Sequence, residues 1–388
     1  MKTESSFLSI IHGQVLLPDG VLASVPITVE QGRIARLGVK ERVSPEIDAA
    51  GGYVVPGLID LHSHGLGHES AYGHLKAYAD GVAAQGTTTV FLTMFGPPEL
   101  TAEHMRRHLA ETEGLRQTPN VGGFRLESPY LAFAGGGVSK DLAPISASVT
   151  DLLMVAGAGH IRIWDVSPEL PGAPETIRQL SKAGLVCSLA HTRATIAQAR
   201  MAVEAGARLV THLFDTFVLP PATTNGIYPP GLVDYLLVED RLICEIIPDG
   251  THVDPLLVEK AWRCKPADGL VFVTDSNMGA GLPAGDYTLI DGERIRIAGV
   301  NQGVRLVDRD LLLFGSAMTS IHCFRNTLQL FGKDLAAASR VCSRNPARLM
   351  GLNKGEIKEG RDADLVILDK EFNVLYTVVA GKVVYRKG

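Results

Sequence analysis

Hydrophobic positions near the two ends of the chain fall into short runs separated by turns. Apolar runs between residues 7 and 55 alternate with turn sequences such as residues 18–20, and they show no helical period. The same pattern returns at Asp364 to Leu368 and at Val374 to Val379. Two β-rich pieces at opposite ends predict a small sandwich that is completed when the ends meet. We therefore expect residues 1–54 and 355–388 to form a β-sandwich domain.

The middle of the chain, residues 55–354, repeats short apolar runs followed by helical periodicity. The first predicted strand ends at His62, and the others are Thr87 to Met94, Val121 to Glu127, Ile161 to Val166, Leu185 to His191, Arg208 to Phe214, Leu242 to Pro248 and Leu270 to Asp275. Predicted helices include Tyr72 to Gln85, Ala102 to Glu113, Pro174 to Ala183, Ile196 to Ala205 and Pro255 to Trp262. Eight strand-helix units predict the α/β class and a parallel (β/α)₈ barrel, whose working face lies at the strand carboxyl ends. Hairpin-like sequence interrupts the last unit at residues 279–307.

Composition narrows the possible partners and the cellular location. A chain of 388 residues with 46% hydrophobic and 20% charged residues can bury a large core. A formal net charge of -5 gives no reason to expect a nucleic acid or an anionic membrane as partner. The five cysteines are widely spaced and contain no Cys-x-x-Cys, which is typical of reduced thiols. We expect a soluble cytoplasmic protein that acts on a small molecule.

Two histidines follow the first predicted barrel strand. Residues 54–61 are largely apolar, and His62 and His64 come where such a strand would end. Alternate residues of an extended chain point the same way, so the two imidazoles can converge on one divalent metal ion. The alternative is a turn that carries two surface histidines.

Further reactive side chains fall at the ends of other predicted strands. They are Glu127, His191, His212 and Asp275. Neutral imidazoles with a carboxylate are typical of zinc hydrolases, in which one coordination position stays open for water. Asp275 is then the candidate proton carrier, although an aspartate here could also cap a turn. His252, after the seventh strand, faces either the substrate or solvent.

The order of motifs along nearly the whole chain resembles the N-acetylglucosamine-6-phosphate deacetylases of the amidohydrolase superfamily. The motifs are Pro56-Gly57-Leu58-Ile59-Asp60-Leu61-His62-Ser63-His64-Gly65, Leu126-Glu127-Ser128-Pro129-Tyr130, Ala190-His191-Thr192, Thr211-His212-Leu213-Phe214, Asp249-Gly250-Thr251-His252, Val273-Thr274-Asp275, Gly315-Ser316-Ala317-Met318-Thr319 and Asn345-Pro346-Ala347. The resemblance implies a barrel of the metal-dependent hydrolase type with a β-sandwich, and a homodimer.

The resemblance also implies roles for individual residues. A divalent metal would bind Glu127, His191 and His212, and Asp275 would act as general base and acid. Zinc is the expected ion, with iron or manganese as alternatives. Some family members hold a second metal on the first-strand histidines, and this chain keeps His62 and His64. One or two ions are therefore expected.

Several positions depart from the family pattern, and we expect them to affect the substrate. The family's His-Leu-Glu-Gly-Pro is replaced by a sequence with Arg125 and Ser128, and its carbonyl-polarising histidine aligns with Ser139. An expected asparagine is Asp215, which we assign to substrate binding together with the adjacent Thr216. Tyr228 replaces an arginine that helps to hold the sugar phosphate.

We therefore predict a metal-dependent amide hydrolase that removes an acetyl group from an N-acetylated amino sugar, with altered recognition of sugar and phosphate. Its substrate contacts are predicted at His252, Asp215, Thr216, Tyr228 and Ser139. One alternative is another amidohydrolase, which acts on N-acyl amino acids or cyclic amides. A second alternative is a non-catalytic scaffold with the same fold, which would be expected to lose its metal ligands.

Overall fold

The computed structural model describes residues 7–39, 44–136, 141–217, 226–227, 229–289 and 292–388. The described chain forms an eight-stranded parallel sheet surrounded by helices, two sheets built from the chain ends and a small inserted sheet. None of its helices combines the length and the hydropathy that crossing a bilayer requires.

Strands from both ends of the chain build two facing sheets. The strands are β1 (Phe7–Ile11), β2 (Gln14–Leu16), β3 (Leu22–Ala23), β4 (Ile27–Glu30), β5 (Arg33–Leu37), β6 (Glu46–Asp48), β7 (Tyr53–Pro56), β22 (Leu365–Leu368), β23 (Val374–Val379) and β24 (Lys382–Arg386). One sheet has the order β5-β4-β1-β6 and the other β24-β23-β22-β7-β2-β3. Apolar side chains such as Ile27, Val54 and Ile367 form a core of their own there. The predicted sandwich of both chain ends is confirmed.

The two chain ends join through one antiparallel strand pair. Val55 of β7 pairs with Val366 of β22, and the register runs from Tyr53 opposite Leu368 to Pro56 opposite Leu365. Strand β7 crosses the predicted boundary between residues 54 and 55. The division of the chain into 1–54, 55–354 and 355–388 stays a prediction.

The barrel strands are parallel and follow chain order around the ring. They are β8 (Leu58–Ser63), β11 (Thr87–Met94), β12 (Val121–Leu126), β13 (Ile161–Val166), β14 (Val186–Leu189), β15 (Leu209–Val210), β16 (Ile243–Ile246) and β17 (Leu270–Phe272). The ring is completed just beyond β17, where the Asp275 amide donates to the His62 carbonyl at 2.9 Å. The predicted (β/α)₈ barrel is confirmed, although several strands end earlier than predicted.

The helices cover the outside of the barrel. They are α1 (Leu75–Ala83), α2 (Pro98–Glu111), α3 (Ala147–Gly157), α4 (Ala173–Lys182), α5 (Ile196–Ala205), α6 (Leu232–Val238), α7 (Pro255–Cys264), α8 (Ser320–Gln329), α9 (Leu335–Ser339) and α10 (Asn345–Leu349), with a π-helical turn at Arg340–Arg344. Local chemistry fixes several boundaries: Thr195 caps α5 with a capping box, and Asp254 caps α7. These two helices thus begin where a side chain satisfies one of their first amides.

The hairpin-like insertion forms a separate antiparallel sheet. It consists of β18 (Gly285–Thr288), β19 (Arg294–Ile297), β20 (Val304–Leu306) and β21 (Leu312–Leu313), and a two-stranded ribbon of β9 (Gly65–Leu66) and β10 (Glu69–Ser70) follows the first barrel strand. Ile295, Ile297 and Val304 give the inserted sheet its own small core.

Candidate metal centre

Three of the predicted metal-binding and catalytic residues have left-handed backbones. The φ angles are 44° at His191, 26° at His212 and 45° at Asp275. His191 and His212 each come two residues after a barrel strand ends. Non-glycine residues in this region are strained and persist where the surrounding structure fixes them, often at functional sites. The chain therefore turns sharply at the strand ends that carry these side chains.

Glu127 is the centre of the cluster, because each of its carboxylate oxygens faces two histidines. Its Oε1 lies 3.0 Å from His191 Nε2 and 3.3 Å from His212 Nε2. Its Oε2 lies 3.0 Å from His64 Nε2 and 3.5 Å from His62 Nε2. The structure thus brings together all five residues that the sequence nominated as metal ligands.

These residues form two groups that could each hold a metal ion, and Glu127 belongs to both. One group is Glu127, His191 and His212, and the other is His62, His64 and Glu127, with the ligand atoms of each group within 4.8 Å of one another. Tetrahedral zinc with bonds of about 2.1 Å places its ligand atoms about 3.4 Å apart. The donor set and spacing fit a divalent ion, and the shared carboxylate fits a bridged pair.

The second ring nitrogen fixes the orientation of one of these imidazoles, that of His191. His191 Nδ1 lies 3.1 Å from the Phe133 carbonyl, so a proton on Nδ1 is donated there and Nε2 keeps its lone pair for a metal. The Nδ1 atoms of His62 and His212 are buried and have no hydrogen-bond partner within the described ranges.

The electrostatics of the cluster favour a positive charge. Burial by itself lowers the pKa of His64, but hydrogen bonds to Asp275 and Glu127 outweigh it and raise that pKa to about 10. Burial also opposes charge on His212, yet its hydrogen bond to Glu127 raises its pKa to about 10. Burial would raise the pKa of Glu127, but the nearby histidines hold it well below the usual range. A cation can take the place of these protons.

Asp275 lies beside the first-strand histidines. Its Oδ1 is 3.3 Å from His62 Nε2 and 3.4 Å from His64 Nε2. Burial would raise the pKa of its carboxyl, but the charges of His62 and His64 and a hydrogen bond to His64 lower it. Asp275 is therefore ionised next to the candidate metal positions.

Three of the five predicted substrate-binding residues, His252, Asp215 and Thr216, lie in the described part of the chain. His252 Nδ1 is 2.6 Å from Oδ2 of the buried Asp249, which fixes the ring. Asp215 is close enough to contribute to the raised pKa of His212, after the hydrogen bond to Glu127. Thr216 approaches His191, since a side chain at Gly135 would meet both residues at 2.9 Å. Ser139 and Tyr228 lie outside the described residues.

Comparison with known proteins now adds an independent observation. Residues 241–384 match the amidohydrolase family. A Danio rerio N-acetylglucosamine-6-phosphate deacetylase is 31% identical over 88% of this chain and 86% of its own length. The chain belongs to the N-acetylglucosamine-6-phosphate deacetylase family. It is therefore a metal-dependent hydrolase of amide C–N bonds.

Other members and structures agree with this assignment. An N-acetylgalactosamine-6-phosphate deacetylase from Shewanella sp. (strain ANA-3) is 29% identical over 100% of this chain and 98% of its own length. The structure of a Mycobacterium smegmatis N-acetyl-D-glucosamine-6-phosphate deacetylase D267A mutant, in complex with N-acetyl-D-glucosamine-6-phosphate, has a TM-score of 0.82 and 27% identity, covering 98% of this chain and 100% of that one. The family thus includes enzymes named for two different amino sugars.

Two of the departures from the family pattern, Arg125 and Ser128, are buried. Arg125 is fully buried near the end of β12 and points into the barrel, where it binds Asp165 and Glu245. Ser128 is buried as well, and its hydroxyl exchanges hydrogen bonds of 2.9 Å with the amide and the carbonyl of Gly96. Both side chains are thus bonded inside the protein, and the expectation that these departures affect the substrate stays a prediction.

The sequence analysis missed a network of buried charges below the metal cluster. Arg125 binds Asp165 through Nε and Nη2 at 3.0 to 3.2 Å and Glu245 through Nη1 at 2.6 Å. It also donates to the Leu61 carbonyl at 3.0 Å and to Thr211 Oγ1 at 2.9 Å. The available signal was one arginine and two acids inside strands predicted to be buried, since buried charges require partners.

Removing the shared carboxylate should empty both metal groups. Glu127→Ala deletes a ligand of each group, whereas His191→Ala deletes a ligand of one only. We expect elemental analysis to show loss of metal from both positions in the first variant and from one in the second. Glu169→Ala is the control, because Glu169 binds Thr192 and the Arg193 amide beside the site without belonging to either group. Full metal content in Glu127→Ala would contradict the bridging geometry.

Metal affinity should rise with pH. His64 and His212 have pKa values near 10 without metal, so each must lose a proton before it can bind an ion. Below that pKa, each displaced proton makes apparent affinity rise about tenfold per pH unit. Competition with a chelator between about pH 7 and 8.5, corrected for protonation of the chelator, measures this slope. A flat profile would show that these histidines are already neutral.

Proposed function

We propose that this protein deacetylates an N-acetylated amino sugar by metal-dependent hydrolysis of its amide bond. The observation that carries the proposal is the convergence of four histidine Nε2 atoms on the two oxygens of Glu127, with the ionised Asp275 beside them. The names of the relatives supply the amino-sugar substrate class. A scaffold without activity is disfavoured because every predicted ligand is retained.

The chain's own groups have distinct tasks in this reaction. A bound divalent metal would polarise the acetyl carbonyl and make a water molecule more acidic. Asp275 accepts a proton from the attacking water and then gives it to the amine nitrogen as the C–N bond breaks, which releases acetate and the free amino sugar. His252 has its Nδ1 fixed by Asp249, so its Nε2 is left to contact the substrate.

Two departures from the family pattern bear on recognition of the sugar and its phosphate. Asp215 places a carboxylate where the family pattern has a neutral asparagine, and Tyr228 stands where that pattern has a phosphate-binding arginine. Both changes disfavour a doubly charged phosphate, because a charge-assisted bond is lost and a repulsive charge is gained. We therefore propose altered phosphate recognition, with Thr216 and Ser139 as further substrate contacts.

Zinc as the metal, a pair of ions bridged by Glu127, a homodimer and a cytoplasmic location are parts of the same proposal. The bridged pair is supported by the Glu127 carboxylate, which belongs to both groups of candidate ligands. Zinc is favoured over iron and manganese because its borderline character suits a site rich in imidazole. The homodimer is what the family resemblance implies.

Asp275→Asn should keep its metal and lose most of its activity. The amide cannot accept a proton at neutral pH, so we expect kcat on N-acetylglucosamine or its 6-phosphate to fall about 100- to 10,000-fold. Release of free amine measures turnover, and elemental analysis measures metal. Asp286→Asn is the control, since that exposed carboxylate pairs with Arg296 on the inserted sheet. Near-normal turnover in Asp275→Asn would reject the assigned role.

The enzyme should discriminate poorly between phosphorylated and free sugars. Loss of an arginine that grips a phosphate removes bonds worth about 1.5 to 3 kcal/mol each, or roughly tenfold or more in kcat/KM. We expect kcat/KM values for N-acetylglucosamine and its 6-phosphate within about tenfold of each other. Tyr228→Arg should raise the preference for phosphate, and Tyr228→Phe should not. If the unmodified protein has a much higher kcat/KM for N-acetylglucosamine-6-phosphate than for N-acetylglucosamine, the proposed loss of phosphate recognition is wrong.

A further inference from the structure

Two buried polar atoms beneath the metal cluster face each other without a hydrogen bond. His62 Nδ1 and Glu245 Oε2 are 3.6 Å apart, and both side chains are fully buried. Neither atom has a hydrogen-bond partner among the residues that the structure describes. Buried polar atoms are nearly always paired, so two that face each other call for an explanation. A small tilt of the imidazole ring would bring them into hydrogen-bonding distance.

The other oxygen of Glu245 is firmly held. Its Oε1 accepts from Arg125 Nη1 at 2.6 Å, and the same guanidinium is fixed by Asp165, Thr211 Oγ1 and the Leu61 carbonyl. Glu245 therefore has one orientation, with Oε2 turned towards His62. The Leu61 contact also ties Arg125 to the backbone next to that histidine.

We propose that Glu245, anchored by Arg125, is a positioning residue that selects the metal-binding form of His62. A carboxylate at this place accepts a hydrogen bond only from Nδ1–H, which leaves Nε2 with its lone pair on the side of Glu127 and the first-strand metal position. This inference rests on the metal-dependent hydrolysis proposed above, and it concerns one of the two metal positions.

A purely structural role for Glu245 makes a different prediction. If Glu245 only neutralised Arg125, then Asp165 would be its equivalent, since both carboxylates are fully buried and bind the same guanidinium. Only Glu245 faces a metal-cluster histidine through a ring nitrogen. The two acids therefore form a matched pair for an experiment.

The decisive substitution is Glu245→Gln, which preserves shape. Arg125 Nη1 requires an oxygen at the position of Oε1, so the glutamine NH₂ would turn towards His62 Nδ1. That donor favours the tautomer with the proton on Nε2, which cannot bind a metal. We expect affinity at the first-strand position to fall about 10- to 100-fold, while the His191 and His212 position keeps its ion.

Chelator competition and metal counting on the purified protein, with zinc as the probe, measure this effect. Glu245→Gln should lose the same equivalent as His62→Ala, and the double variant should lose no more than either. Asp165→Asn should keep both equivalents. Equal metal loss in Glu245→Gln and Asp165→Asn, or full retention in both, would overturn the inference. So would unmodified protein that holds a single ion, even if it deacetylates amino sugars normally.

A measurement on the unmodified protein covers the case in which Glu245→Gln does not fold. Ring ¹⁵N NMR of the zinc-loaded enzyme labelled at histidine reports which nitrogen of each imidazole carries the proton. His62→Ala identifies the signal of His62 by its disappearance. A proton on His62 Nδ1, hydrogen-bonded to a carboxylate, is the expected result, and a proton on Nε2 would overturn the inference.

Discussion

The structure of the barrel mouth depends on one carboxylate that is shared by two pairs of histidines. One carboxylate oxygen of Glu127 contacts His191 and His212, and the other contacts His62 and His64. Every member of this set is largely buried, so the negative charge cannot be balanced by water. Protons on the imidazoles or bound metal ions must therefore supply the positive charge that balances the Glu127 carboxylate. The strained turns at three strand ends hold the side chains in this arrangement.

The same balance of charge extends below the mouth. Arg125 offers a single positive charge to Asp165 and Glu245, so this buried group carries a net negative charge when both acids are ionised. Burial raises the pKa of Asp165 to about 6, even though Arg125 opposes that rise. The interior layer of this barrel is therefore polar, where branched apolar residues usually dominate. The metal cluster and the barrel interior form one connected electrostatic unit.

The fold could be predicted from the sequence to a large extent because its signals are local. The strand Thr87–Met94 and the helix Ile196–Ala205 have the predicted bounds, since period-two and helical patterns are read within a few residues. The strand leading to His212 proved shorter, Leu209–Val210, because a left-handed backbone at His212 ends it. No local pattern specifies such a turn, which depends on tertiary contacts.

The candidate site shows the same division between local and distant information. Its residues could be nominated because parallel strands place their carboxyl ends at one rim. The buried charge network below them could not be predicted. Arg125, Asp165 and Glu245 come from three strands, and they form ion pairs only after the barrel closes. The role of Arg125 in this network could not be predicted, since one sequence does not show which way a strand residue points.

The pairing of β7 with β22 bears on how the protein is made. Tyr53–Pro56 leads directly into the first barrel strand, yet its neighbour Leu365–Leu368 is synthesised only after the whole barrel sequence. During translation β7 therefore lacks this partner, and that edge of the strand stays unpaired until residues 365–368 have been made. The sandwich can therefore be completed only after the sequence of the whole barrel has been synthesised.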